Sequence, residues 1–138
     1  MSPRKKSSGV PLAKLKSFFQ YLLGLFFFLA GLGHFYKPSF YLSIMPPYIP
    51  FPLAMIYLSG FFEALFGLGV LVPKTSRWAA WGLILLLIAI FPANLHMALH
   101  PEQFPEIPYW GLLARLPFQG VFIYWAYVYT KRDKATLK

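Results

Sequence analysis

Few side chains in this sequence can do chemistry, and those that can stand inside long apolar runs. Of 138 residues only 4 are acidic and 3 are histidine, and cysteine is absent. Without cysteine there is no thiolate nucleophile, disulfide exchange, cysteine-ligated zinc or iron–sulfur cluster. What remains is Glu63 in one run, Asn94 and His96 in another, Arg115 and Gln119 in a third, and His34 at the close of the first. An ionisable group at membrane depth is costly unless it is paired or faces a cavity. These six residues are therefore the candidates for a ligand-binding or polar pocket. Their spacing assigns neither a catalytic residue nor a metal-ligand set, and any redox chemistry requires a bound cofactor or a partner subunit.

The elements that must position them are four apolar runs, each near the roughly 20 residues a helix needs to cross a hydrocarbon core. They are Ser17 to Phe35, Pro52 to Val72, Arg77 to Leu99 and Tyr109 to Thr130. The chain thereby divides into a basic arm at 1–16, a transmembrane domain at 17–130 and a basic tail at 131–138. Short proline-rich links make sequential helices antiparallel neighbours, so the expected fold is all-α, a membrane-embedded four-helix antiparallel bundle. Hydrophobic residues make up 58% of the chain and charged ones 12%, against about a quarter charged in a soluble domain.

The formal charge of +9 taken alone fits a nucleic-acid binder. Sorting the basic residues by position excludes that reading. Arg4, Lys5, Lys6, Lys14 and Lys16 precede the first run, Lys74 and Arg77 lie at the second link, and Lys131, Arg132, Lys134 and Lys138 follow the last. Basic residues in short loops stay cytoplasmic, which places both termini in the cytoplasm of a multi-pass protein of the inner (plasma) membrane. Trp78, Trp81, Trp125, Tyr127 and Tyr129 mark one interface and Tyr109 and Trp110 the other. The first run is too long for a signal peptide and is read as a retained signal anchor. The arm sets topology or binds anionic headgroups.

With helices level at their ends, Glu63 comes about 16 Å into its run and Gln119 about 15 Å into its own. Arg115, one turn above Gln119, is long enough to reach Glu63. Asn94 and His96 lie about 4 to 8 Å below the outer end. Pro92 and Pro117 each remove a helical hydrogen bond, freeing the carbonyls of Ile88 and Leu113, and two such kinks would open an outward-facing pocket. Gly60 and Gly67 share the face of Glu63, and Gly24, Gly31 and Gly33 crowd the first helix, so helices can approach closely there. Surplus glycine faces also allow a homodimer.

Plainer readings accompany each assignment. Glu63 with Arg115 is either a structural ion pair or a site wall that exchanges protons. His34 is an interfacial cap or a ligand, and His96 bonds a loop carbonyl or a ligand. A haem held by His34 and His96 is disfavoured because both lie near the surface. Phe26, Phe27 and Phe28 contact lipid or pack, and His100 faces water. The segment Met45 to Pro52 favours an extended polyproline form, serving as lid, docking strip or rigid connector.

The string Gly33-His34-Phe35, Lys37-Pro38 with Phe40, Met45-Pro46-Pro47-Tyr48-Ile49-Pro50, Gly60 with Glu63 and Gly67, Pro73 with Arg77, Ala79-Ala80-Trp81-Gly82, and Phe91-Pro92-Ala93-Asn94 with Met97-Ala98 resembles the DoxX family of small bacterial membrane proteins. The resemblance covers roughly residues 18 to 130. It implies four transmembrane helices and places Glu63, Pro92 and Asn94 on shared motifs. The family takes its name from a subunit of an archaeal thiosulfate:quinone oxidoreductase, and relatives are linked to oxidative-stress complexes. A distant eukaryotic branch includes the nicotinic receptor chaperone NACHO. The expected function is a non-enzymatic membrane accessory or assembly protein that binds a partner membrane protein and a lipid-like molecule. The alternative is a quinone-binding subunit of a membrane oxidoreductase with a protonatable Glu63. Quinone and lipid are thus the candidate ligands, and four helices without a visible repeat make a transporter the weaker third reading.

Overall fold

The computed structural model describes residues 11–131, so most of the basic arm and tail lies outside the described residues. Every element among the described residues is helical: α1 (Leu12–Tyr36), α2 (Pro38–Ser43), α3 (Pro52–Leu71), α4 (Ser76–Leu99), a single 3-10 turn at Pro101–Gln103, and α5 (Tyr109–Val128). Three of these, α1, α3 and α4, are long and apolar enough to cross a membrane. Only 28% of the apolar stretch of each is buried inside the protein, and Leu25, Leu29, Phe61, Leu85 and Ile88 stand about half exposed or more. Soluble monomers rarely expose contiguous apolar surface on this scale, so the outer surface suits a hydrocarbon solvent.

Local sequence explains the boundaries. Pro52 and Pro38 stand at the first helical positions of α3 and α2, where a missing N–H is no loss and φ is already helical. Pro73 follows the end of α3, and the Thr75 hydroxyl donates to the Gly69 carbonyl at 2.7 Å, satisfying one of the carbonyls a helix end leaves unpaired. Both α4 and α5 continue as helix through Pro92 and Pro117. The expected runs match these helices within a few residues, with one consequential difference. Helix α1 starts at Leu12 and so takes in Lys14 and Lys16, which the expected division assigns to the arm.

The long helices pack antiparallel in chain order. Between α1 and α3 the contact is backbone to backbone: a Cβ at Gly31 would collide with the Ala64 nitrogen and lie 2.6 Å from the Gly60 carbonyl oxygen, and one at Gly67 would collide with the Phe28 nitrogen and lie 2.7 Å from the Gly24 carbonyl oxygen. Gly24, Gly31, Gly60 and Gly67 therefore face each other across one seam. Both glycine faces are used within the chain, which removes the surplus face that argued for a homodimer. Gly33 lies off this seam, and a Cβ there would meet only the Tyr41 hydroxyl, at an ordinary contact distance of 3.4 Å.

The main core lies toward the end where α1 begins and α5 finishes. Leu23, Phe27, Val70, Ala80, Leu83 and Ala126 form its centre. Phe122 stacks on Phe26 with ring centroids 5.2 Å apart and meets Phe27 edge-on, closing α5 against α1. Hydrogen bonds from Tyr129 to the Lys16 carbonyl, Arg77 to the Thr130 carbonyl and Gln20 to the Val70 carbonyl tie the same end. A smaller cluster of Met97, Phe104 and Leu112 holds α4 to α5 at the other end.

The segment after α2 is a turn and not an extended polyproline strip. The Ile49 N–H donates to the Pro46 carbonyl at 3.3 Å, and Pro47 occupies the second position of the turn, for which its fixed φ is suited. Phe51 has φ 50°, in the left-handed region, and this reverses the chain into α3.

Candidate functional site

His34 and Glu63 form a buried pair across the glycine seam. His34 Nε2 lies 3.0 Å from Glu63 Oε2, and both residues are less than a tenth exposed. Gly60 makes the approach possible, since a Cβ there would collide with His34 Cβ. The other ring nitrogen, Nδ1, lies 3.1 Å from the Ile56 carbonyl and 3.3 Å from Ser59 Oγ. The Ser59 hydroxyl donates to the same Ile56 carbonyl at 3.1 Å. Tyr41 of α2 stacks over the imidazole with ring centroids 4.0 Å apart, completing the enclosure.

The hydrogen-bond pattern fixes the proton count of this pair. A carbonyl oxygen only accepts, so an unprotonated Nδ1 would set two lone pairs against each other at 3.1 Å. Nδ1 therefore carries a hydrogen, an assignment that follows from its partners. Nε2 and the carboxyl oxygen must then share one further proton. The pair is either imidazolium with carboxylate or neutral imidazole with carboxylic acid, and in both forms its net charge is zero.

This arrangement corrects the expected partnership of Glu63 with Arg115. That partnership requires helix ends at one level, but α1 sits lower than α3. Because Gly24 meets Gly67 and Gly31 meets Gly60, His34 comes beside Gly60 and Glu63 instead of at the outer end of α3, and α2 fills the step. Both ion pairs among the described residues involve histidine: His34 with Glu63, and His100 with Glu102 at 3.4 Å. Arg115 is half-buried and joins neither. It lies seven residues outward of Phe122, as His34 lies seven outward of Phe27. Given the contact between those two rings, Arg115 and His34 share a level about 10 Å further out. The Tyr41 phenol, its ring stacked on His34, is near both Glu63 and Arg115. Its pKa stands above the ordinary value because of burial and the Glu63 carboxylate, with Arg115 acting in the opposite sense.

Asn94 and Gln119 form a second pair, on α4 and α5. Asn94 Nδ2 donates to Gln119 Oε1 at 2.6 Å, and Gln119 Nε2 donates to the Leu87 carbonyl. The side chain thus serves the turn of α4 just before Pro92, one carbonyl earlier than the expected Ile88. His96 belongs to a third group. Its Nε2 meets Gln103 Oε1 at 3.0 Å, and Tyr48, His100 and Phe104 surround its ring.

The six expected residues therefore divide between α1–α3, α4–α5 and the outer loop. A haem bridging His34 and His96 does not fit, since both His34 nitrogens are already engaged. No group of three potential metal-ligating side chains occurs among the described residues. A separate groove of about 360 Å³ lies near the α3–α4 link, lined by Leu65, Phe66, Leu68, Gly69, Val72, Thr75, Trp78 and Ala79, and is almost wholly apolar. Sequence reasoning missed Tyr41, Ser59 and Gln103. Pro38 at a helix start signals the helix that carries Tyr41, and Ser59 is marked by its place beside Gly60.

Comparison with characterised proteins and with solved structures finds no match to this chain. Residues 23–130 match the model of a family described as a domain of unknown function, DUF8561. That stretch runs from the core of α1 to the end of α5 and takes in every residue of the polar groups above. The chain belongs to the DUF8561 family.

Proposed function

We propose that this protein is an integral membrane accessory or assembly protein of the DoxX type, which uses its helical surface to hold a partner membrane protein and its polar outer half to hold a lipid-like molecule. In this reading α5 is the fourth crossing of a membrane-embedded four-helix bundle, both termini are cytoplasmic and the membrane is the inner (plasma) membrane. The observation that carries it is the enclosed cluster of His34, Glu63, Ser59 and Tyr41, set in a chain whose sides are apolar and exposed. A polar group buried at such depth marks a site or a pathway. Extraction in mild detergent should bring down a partner protein in fixed ratio or a bound acyl-chain molecule. A chain recovered alone and empty would contradict the proposal.

A second reading, a quinone-binding subunit, draws on the same pair. A proton shared between an imidazole and a carboxyl is a group that can donate to a quinone carbonyl and be refilled. Titration of the purified protein with a quinone, comparing wild type with Glu63→Gln, separates the readings. Equal binding and equal quinol turnover in both would remove Glu63 from such a mechanism.

A further inference from the structure

Arg115 is the basic residue furthest from a helix end among the described residues. It lies at the level of His34, and it forms no ion pair with a described carboxylate. Glu63 is engaged by His34 at 3.0 Å and makes no ion-pair contact with Arg115. Glu102 is occupied by His100, and Glu106 is exposed in the outer loop. A guanidinium in an apolar surround without a counter-ion is strongly disfavoured. The Tyr41 phenol of α2 is a close polar neighbour.

The face of α5 that carries Arg115 continues inward through Gln119 and Phe122, which pack inside the protein. About 60° round the helix from Arg115, Phe118 is 60% exposed and begins the apolar outer surface, with Val121 at 57% about a further 60° round. A molecule bound with an acidic group at Arg115 would lay its apolar part past Phe118 over the exposed apolar surface of α5, toward the middle of the bilayer. That is the orientation of an amphiphile in the outer leaflet. Guanidinium matches carboxylate and phosphate through two parallel N–H donors, and the Tyr41 hydroxyl supplies a further donor from α2.

We infer that the outer half of this protein binds an amphipathic anion, a carboxylate or phosphate bearing an acyl chain, with Arg115 as the anion-recognising residue and Phe118, beside it on α5, against the start of the chain. This rests on the proposed lipid-like ligand and adds its charge and its position. The acidic group could belong to a free fatty acid or to an acidic phospholipid headgroup.

The test uses the full chain in nanodiscs of phosphatidylcholine with a fluorescent long-chain fatty acid, its methyl ester, and phosphatidylglycerol as competitor. The fatty acid should bind wild type, bind Arg115→Gln at least about tenfold more weakly, and recover most of that loss in Arg115→Lys. The Arg115→Lys chain keeps the charge and controls for folding. Competition by phosphatidylglycerol would identify the phospholipid as the source, and its failure to compete would identify the free carboxylate. If the ester binds as well as the acid, or Arg115→Gln leaves affinity unchanged, the anion assignment is wrong while a neutral lipid-like ligand survives. Failure of both long-chain probes to bind would overturn the ligand site altogether.

Discussion

The most informative single contact is the 3.0 Å approach of His34 Nε2 to Glu63 Oε2. Removing one member of a buried pair leaves the other without compensation, which costs about 3–5 kcal/mol. Glu63→Leu should therefore destabilise strongly, and a double replacement with His34→Phe should cost less than the two single losses together. A coupling of about 1–3 kcal/mol in a double-mutant cycle of unfolding measurements is expected, and additive losses would show that the two residues do not share a proton. Tyr41 gives a pH prediction. Its phenol titrates above the ordinary 10.0, so its contribution to stability is present below pH 10 and is lost as pH rises through the elevated value. Ultraviolet titration of wild type against Tyr41→Phe should show the missing tyrosine among the late-ionising ones. Its disappearance from the normal group would contradict the enclosure by α2.

At the scale of elements, the glycine seam sets the site. A Cβ at Gly60 would collide with His34 Cβ and one at Gly31 with backbone atoms of α3, so Gly60→Ala or Gly31→Ala should cost about 1–3 kcal/mol. Gly60→Ala should also displace His34 from Glu63. A Cβ at Gly120 would meet nothing within 4 Å, and Gly120→Ala should be neutral or stabilising by up to about 1 kcal/mol. Thermal unfolding of the three variants in detergent decides this, and equal effects would refute the seam. The long apolar runs, their proline boundaries and the inward glycine faces were all legible in the sequence, because each rests on local composition. The partner of Glu63 was not. It depends on the stagger of α1 against α3, which the glycine contacts set and no run length reveals. Helix α2 was also missed, because its six residues have no apolar run to announce them, and with it the ring that covers His34.

Across the whole molecule, charge placement and surface agree. Among the described residues Lys14, Lys16, Lys74, Arg77 and Lys131 stand at one end of the long helices, against Lys37 at the other and Arg115 within α5, and apolar side chains cover the flanks. α1, α3 and α4 are each long and apolar enough to cross a membrane. α5 spans about 30 Å at its 20 residues and carries Arg115 and Gln119, which lower its apolar character. Whether those two side chains stand at membrane depth turns on whether α5 crosses, so its two ends are the place to look. With no native cysteine to interfere, single replacements Glu102→Cys and Lys131→Cys can be labelled in intact cells with a membrane-impermeant maleimide. A crossing α5 predicts labelling at position 102 from outside and at position 131 only after the membrane is opened. Labelling of both from the same side would contradict it.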